Sequence, residues 1–191
     1  MGLTDIIFGR KKLKGAKLDS LFALSTASVT LETELELKTA GVAAVVFKPL
    51  SAGEFARAAD EVDELVDVTA KSSGSQIARK PDSFGFQWVV VKDPDVEDLV
   101  TTANLIATEL DAHGFGEQLL AALFAFDDPN GRRVNLVYGM KTGTFWPFIP
   151  TGDGQERDNA EELRIRSELE GELPIERDLT RWLGLFDAPL D

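Results

Sequence analysis

The chain has 191 residues, 43% of them hydrophobic, with 12 Phe, one His and no Cys. That length suits one domain whose core needs no staple, and the missing Cys excludes disulfide scaffolds, Cys-bearing zinc sites and thiol catalysis. Acids outnumber bases 33 to 20, a net charge of −13, so the body should repel phosphate backbones and nucleic acid is not an expected partner.

Residues 1–17 form a basic amphipathic N-terminal segment, and residues 18–191 read as a single α+β domain. In the segment, Leu3, Ile6 and Ile7 share one helical stripe with Phe8 beside it, and Arg10, Lys11 and Lys12 follow directly. Apolar anchors beside a basic cluster suit a short helix lying on an anionic membrane surface. Arg10 falls back on the apolar stripe and must snorkel, so such binding is weak and reversible. Docking of this segment on its own domain is the competing reading. Ile6 stands where myristoylation wants Ser or Thr. No apolar run approaches the length of a membrane span, and no signal-peptide pattern opens the chain, so the expected location is the cytoplasm, peripheral to the inner membrane face at most.

From Ser28 to Leu37 the chain alternates. Val29, Leu31, Leu35 and Leu37 fall on one side, and Thr30, Glu32, Glu34 and Glu36 on the other. Period two predicts a half-buried strand. Gly41 turns into the apolar run Val42–Phe47, a strand covered on both faces. Ser51-Ala-Gly-Glu54 is a capping box. Behind it Phe55, Ala58, Ala59, Val62, Leu65 and Val66 keep a helical rhythm to about Ala70. Shifted by 44 residues, Gly41–Val66 lies over Gly85–Leu110 without a gap, with Gly41/Gly85, Val45/Val89, Val46/Val90, Lys48/Lys92 and Ala59/Ala103 identical. Internal duplication and two units obeying the same strand–helix grammar both account for this. Phe84–Val91 reads as a strand, Asp95 as an N-cap, Val96–Ala112 as a helix and Gly114 as its stop.

Leu119–Phe126 reads as a strand. The turn Asp127–Gly131 leads into alternating Val134, Leu136, Tyr138 and Met140, and Gly143 turns again into Thr144–Ile149. Asp158 caps a charged helix over Asn159–Glu170, and a short helix lies near Leu179–Leu183. The order ββα-ββα-βββα predicts an α+β fold, a mostly antiparallel sheet with helices packed on it.

Three stretches invite a function. In Gly143–Pro150, Trp146 alternates against Phe145, and Phe148 is pulled off register by Pro147. The aromatics therefore cannot all face one core. Trp146 with Phe148 would anchor a partner surface rimmed by Arg157, Asp158 and Glu162, on an edge strand marked by Pro147; cover by the C-terminal helices is the plainer reading. Asp158, Glu161 and Glu162 could serve a metal-assisted hydrolase, but they also fit a capped helix start laced with ion pairs. His113 sits at a helix C-terminus, which its charge complements without catalysis. No catalytic or cofactor-binding motif is present, and no cofactor or metal is expected.

The opening Met1–Arg10, Leu18-Asp-Ser-Leu-Phe-Ala-Leu24, Gly114-Phe-Gly-Glu-Gln-Leu-Leu120, Gly143-Thr-Phe-Trp-Pro-Phe148 with Arg157-Asp-Asn-Ala-Glu-Glu-Leu163, and Asp178-Leu-Thr-Arg-Trp182 together resemble the PspA-associated protein family PspAB. The resemblance runs nearly end to end and has no catalytic residues to carry over. It implies an accessory role in PspA-type envelope stress, beside membrane-stress proteases, with a protein partner. The leading expectation is a non-enzymatic adaptor acting by protein contact near the cytoplasmic membrane face. A carboxylate-based metal-assisted hydrolase and a small chaperone with an exposed apolar sheet remain the alternatives.

Overall fold

The structure, a computed structural model, describes residues 17–48, 52–152 and 154–191. The N-terminal residues read as a membrane contact (Leu3, Ile6, Ile7, Phe8, Arg10, Lys11 and Lys12) lie outside them, as does the capping Ser51. The elements run α1 (Ala23–Thr33), β1 (Lys38–Phe47), α2 (Ala52–Ser73), β2 (Gln76–Pro81), β3 (Gln87–Lys92), α3 (Val96–Leu110), β4 (Leu119–Asp127), β5 (Arg133–Gly139), β6 (Thr144–Phe148), β7 (Pro150–Thr151), β8 (Glu156–Arg157) and α4 (Asn159–Leu169), with a 3-10 turn at Leu179–Arg181. The fold is α+β, as the pattern predicts. Six strands form one antiparallel sheet in the order β2-β3-β1-β4-β5-β6, and β7 and β8 pair separately.

The first predicted strand is wrong. Residues 28–33 belong to α1, which buries Leu24, Ala27 and Leu31 and leaves Val29 65% exposed. The alternation was real, but Leu24, Ala27, Leu31 and Leu35 also recur at three- and four-residue steps. Ala, Leu and Glu favour the helix once the window opens upstream. The chain turns at Glu36, with φ 53°, and enters β1. Gly41 is not a turn but a bulge inside β1, at φ 70°, between the pairs Thr39–Phe126 and Val42–Ala125.

The strand before α3 is half of a hairpin. One Asp82 carboxylate oxygen accepts the amides of Phe84 and Phe86, both at 2.9 Å, and the other accepts the Trp88 indole N–H at 3.0 Å. Phe84 therefore sits exposed in the turn, and β3 starts at Gln87. Asp95 caps α3 through the Glu97 amide, at 2.7 Å. Gly114, at φ 89°, ends the helix after a wider final turn. Asp158 caps α4 through the Glu161 amide, at 3.0 Å. The β4–β5–β6 meander forms as expected, but β5 is buried on both faces rather than alternating.

The register defines two faces. On the first, Phe145, Tyr138, Ala122, Val45, Val89 and Arg79 stand side by side across the sheet. Helix α3 packs on β1, β3 and β4, and α1 and α2 pack on α3; the Tyr138 hydroxyl donates to the Lys17 carbonyl just before α1, at 2.6 Å. On the second face the rows are Trp146–Val137–Leu123–Ala44–Val90–Ala78, Phe148–Asn135–Ala125–Val42–Lys92–Gln76 and Thr144–Gly139–Ala121–Val46–Trp88–Lys80. Residues 183–191 lie over this face. Phe186 meets Phe148 edge-on at 4.9 Å, and Leu185, Ala188 and Leu190 pack against the core. No helix among the described residues is long and apolar enough to cross a membrane.

Candidate functional site

The residues singled out around β6 and α4 do gather, but around a buried ion pair. Glu162 is only 1% exposed. Its carboxylate accepts the Ile149 amide at 2.8 Å and the Arg157 Nε–H at 2.9 Å. Arg157 also donates to the carbonyls of Trp182 at 2.7 Å and Pro147 at 3.3 Å, and it lies 5.1 Å above the Phe148 ring. One planar cation with a fork of donors thus fastens β6, β8, α4 and the chain after the 3-10 turn. A charge so buried persists because each of its oxygens has a partner.

A second buried carboxylate continues the clasp. Glu176 accepts the Thr144 hydroxyl at 3.1 Å and the Asp178 amide at 3.0 Å. Its main-chain carbonyl accepts the Trp182 indole N–H at 2.9 Å. The outer edge of β6 is also closed. The Phe145 amide donates to the Pro174 carbonyl and its carbonyl accepts the Glu176 amide, both at 2.8 Å. The edge that Pro147 marked for a partner is therefore occupied by the chain itself.

Trp146 and Phe148 are not surface anchors. Trp146 is 4% exposed, and its indole N–H donates to the Leu183 carbonyl at 3.1 Å. The parity argument failed because both faces of the sheet are covered, so opposing Phe145 does not mean facing water. Of the expected rim, Glu162 is buried, and Arg157 and Asp158 are half-buried.

Asp158, Glu161 and Glu162 do not converge. Asp158 meets Arg132 at 2.9 Å, and Glu161 meets Arg164 at 2.7 Å and Arg132 at 3.4 Å. The Arg164 hydrogen bond holds the Glu161 carboxyl below its ordinary pKa. Asp128, which caps the β4–β5 turn and pairs with Arg132, is lowered first by the Arg132 main-chain amide, against desolvation. These groups tie that turn to the start of α4. Among the described residues no group of three or more His, Cys, Asp or Glu side chains is placed to hold a metal. The chaperone reading needs an open apolar sheet face, and the central strands are buried on both sides.

What sequence reasoning missed lies beside the clasp. Leu163, Leu179 and Leu183 are 41%, 49% and 59% exposed. Leu163 and Leu179 flank a notch of about 120 Å³ that Arg157, Asn159, Glu162 and Trp182 complete. The signal available was the spacing of Leu179 and Leu183, one helical turn apart in a charged stretch, with Trp182 between them turned inward.

A family model described as PspA associated protein B matches residues 1–190, and the chain belongs to that family. Neither curated proteins nor solved structures give a match to it.

Proposed function

We propose that this member of the PspA associated protein B family is an accessory protein that acts by binding a protein partner, PspA by the family's description, through the leucine-rimmed notch beside the Arg157–Glu162 clasp. The observation that carries the reading is that the exposed Leu163 and Leu179 flank one notch, with the exposed Leu183 following Trp182, which also lines it. Exposed apolar side chains grouped on a body this polar mark a contact site better than scattered ones do. The clasp beneath them holds α4 and the 3-10 turn in a fixed relation, so a partner meets a preformed surface with little ordering cost. Asn159 lines the notch as a polar edge, and the exposed Asp178 and Arg181 lie close to Leu179 in the chain.

In this reading the protein performs no chemistry, and the basic N-terminal segment adds weak contact with anionic lipid, keeping the complex near the inner membrane face. Calorimetric titration of the host's purified PspA tests it. Wild-type chain should bind saturably, and Leu179→Asp and Leu163→Asp should each weaken binding at least tenfold while melting like wild type. Unchanged affinity in both variants would remove the notch from the account.

A further inference from the structure

Residues 183–191 cross the second sheet face as a strap. At one end Trp146 holds the Leu183 carbonyl and Arg157 holds the Trp182 carbonyl, and Phe186 lies against Phe148. At the other end the Ser83 hydroxyl donates to the Asp187 carboxylate at 2.5 Å. Lys80 donates to the main-chain oxygen of Asp191 and lies 3.7 Å from its carboxylate. Those anchors stand on β6 and the neighbouring β8 at one margin of the sheet and on the β2–β3 hairpin at the other. The strap is not extended: it turns at Phe186 and Asp187, where the Ala188 amide donates to the Leu185 carbonyl.

Its attachment uses no strand pairing. Among the described residues its main-chain hydrogen bonds are local, Leu183 to Arg181, Ala188 to Leu185 and Leu190 to Ala188. None pairs it with a strand. It is held by side chains: an aromatic contact, two acid anchors and half-buried apolar residues. A groove of about 210 Å³ remains open at the β2–β3 end, lined by Gln76, Ala78, Lys80, Val90, Lys92 and the strap's own Asp191. On a chain with a net charge of −13, Lys80 and Lys92 form a local basic site, and the strap brings the acid of Asp191 to it.

We infer that this face is a peptide-binding groove occupied in cis by residues 183–191, and that a partner presenting a segment of the same chemistry takes the strap's place. That chemistry is an aromatic residue over Phe148, an acid beside it for Ser83, and a second acid four residues on for Lys80, with small or apolar residues between. The charge complementarity of Lys80 and Lys92 with an acidic segment selects this occupant. A second copy's strap would carry the same pattern and is an outcome the test separates. The inference does not rest on the leucine notch.

The probe is a fluorescent peptide with the sequence of residues 183–191, titrated by anisotropy onto the full chain. A tethered strap competes at roughly millimolar effective concentration, so wild type should bind the peptide weakly. Phe186→Ala, which loosens the strap, should bind it at least tenfold more tightly, and adding Lys80→Glu should abolish that gain. Asp187→Ala provides the same loosening through Ser83 if Phe186→Ala melts early. Equal, unsaturable binding by wild type and both loosened variants would overturn the inference. A wild-type dimer in sedimentation that Phe186→Ala dissolves would also overturn it, by placing a second copy in the groove.

Discussion

Replacing Glu162 by Ala removes the acceptor at the centre of the clasp. The Ile149 amide loses its partner in a buried position, which costs about 1–3 kcal/mol. Arg157 keeps the Trp182 and Pro147 carbonyls but loses its counter-charge. Breaking one side of a buried pair totals about 3–5 kcal/mol. At roughly 2–4 °C per kcal/mol for a chain of this size, the melting midpoint should fall by about 6–20 °C. Glu162→Gln still accepts the Ile149 amide and should lose about half as much. The double replacement Arg157→Met with Glu162→Leu should recover most of the loss, because an apolar pair of similar volume removes the desolvation problem. Thermal and urea unfolding of the four proteins read these values. A Glu162→Ala protein within about 1 kcal/mol of wild type would refute the view that this pair holds the corner together.

Trp146→Ala should cost about 3–5 kcal/mol in urea unfolding, the scale for a buried aromatic; a loss under 1 kcal/mol would return Trp146 to the surface. Tyr138, the chain's sole tyrosine, has its phenol pushed up to about 12, first by burial and then by the nearby Asp19 charge. The folded-state value lies above the unfolded one, so this group's stabilising contribution is whole below about pH 10 and fades as pH rises from there through 12. Phenolate absorbance in the native protein should therefore appear only above pH 11, and a midpoint near 10 would contradict the burial. Flotation with anionic liposomes at low salt should fall when residues 1–12 are removed; equal flotation would end the membrane-contact proposal.

Much of the fold was legible because each local signal agreed with its surroundings. Asp95 and Asp158 cap the helices they precede, Gly114 stops one, and Asp127–Gly131 makes the β4–β5 turn. Ser28–Leu37 misled because a stripe of Leu and Ala at helical spacing, read from the middle, is also an alternation. The hairpin partner β2 went unread because Gln76–Pro81 is short, polar and at an edge, with little apolar pattern to detect. The site was half legible. Arg157 and Glu162 were picked for their charges, but their burial depends on Trp182 and Pro147, residues that come together only in three dimensions. Trp146 was misplaced for a related reason. Nothing within Gly143–Pro150 tells that residues 182–191 return across the sheet and cover it.

Hydrogen exchange on the complex with the host's PspA tests the partner surface most directly. Amides in residues 159–164 and 178–183 should exchange more slowly in the complex than in the free chain. Unchanged exchange there, with protection confined to other parts of the chain, would contradict the account.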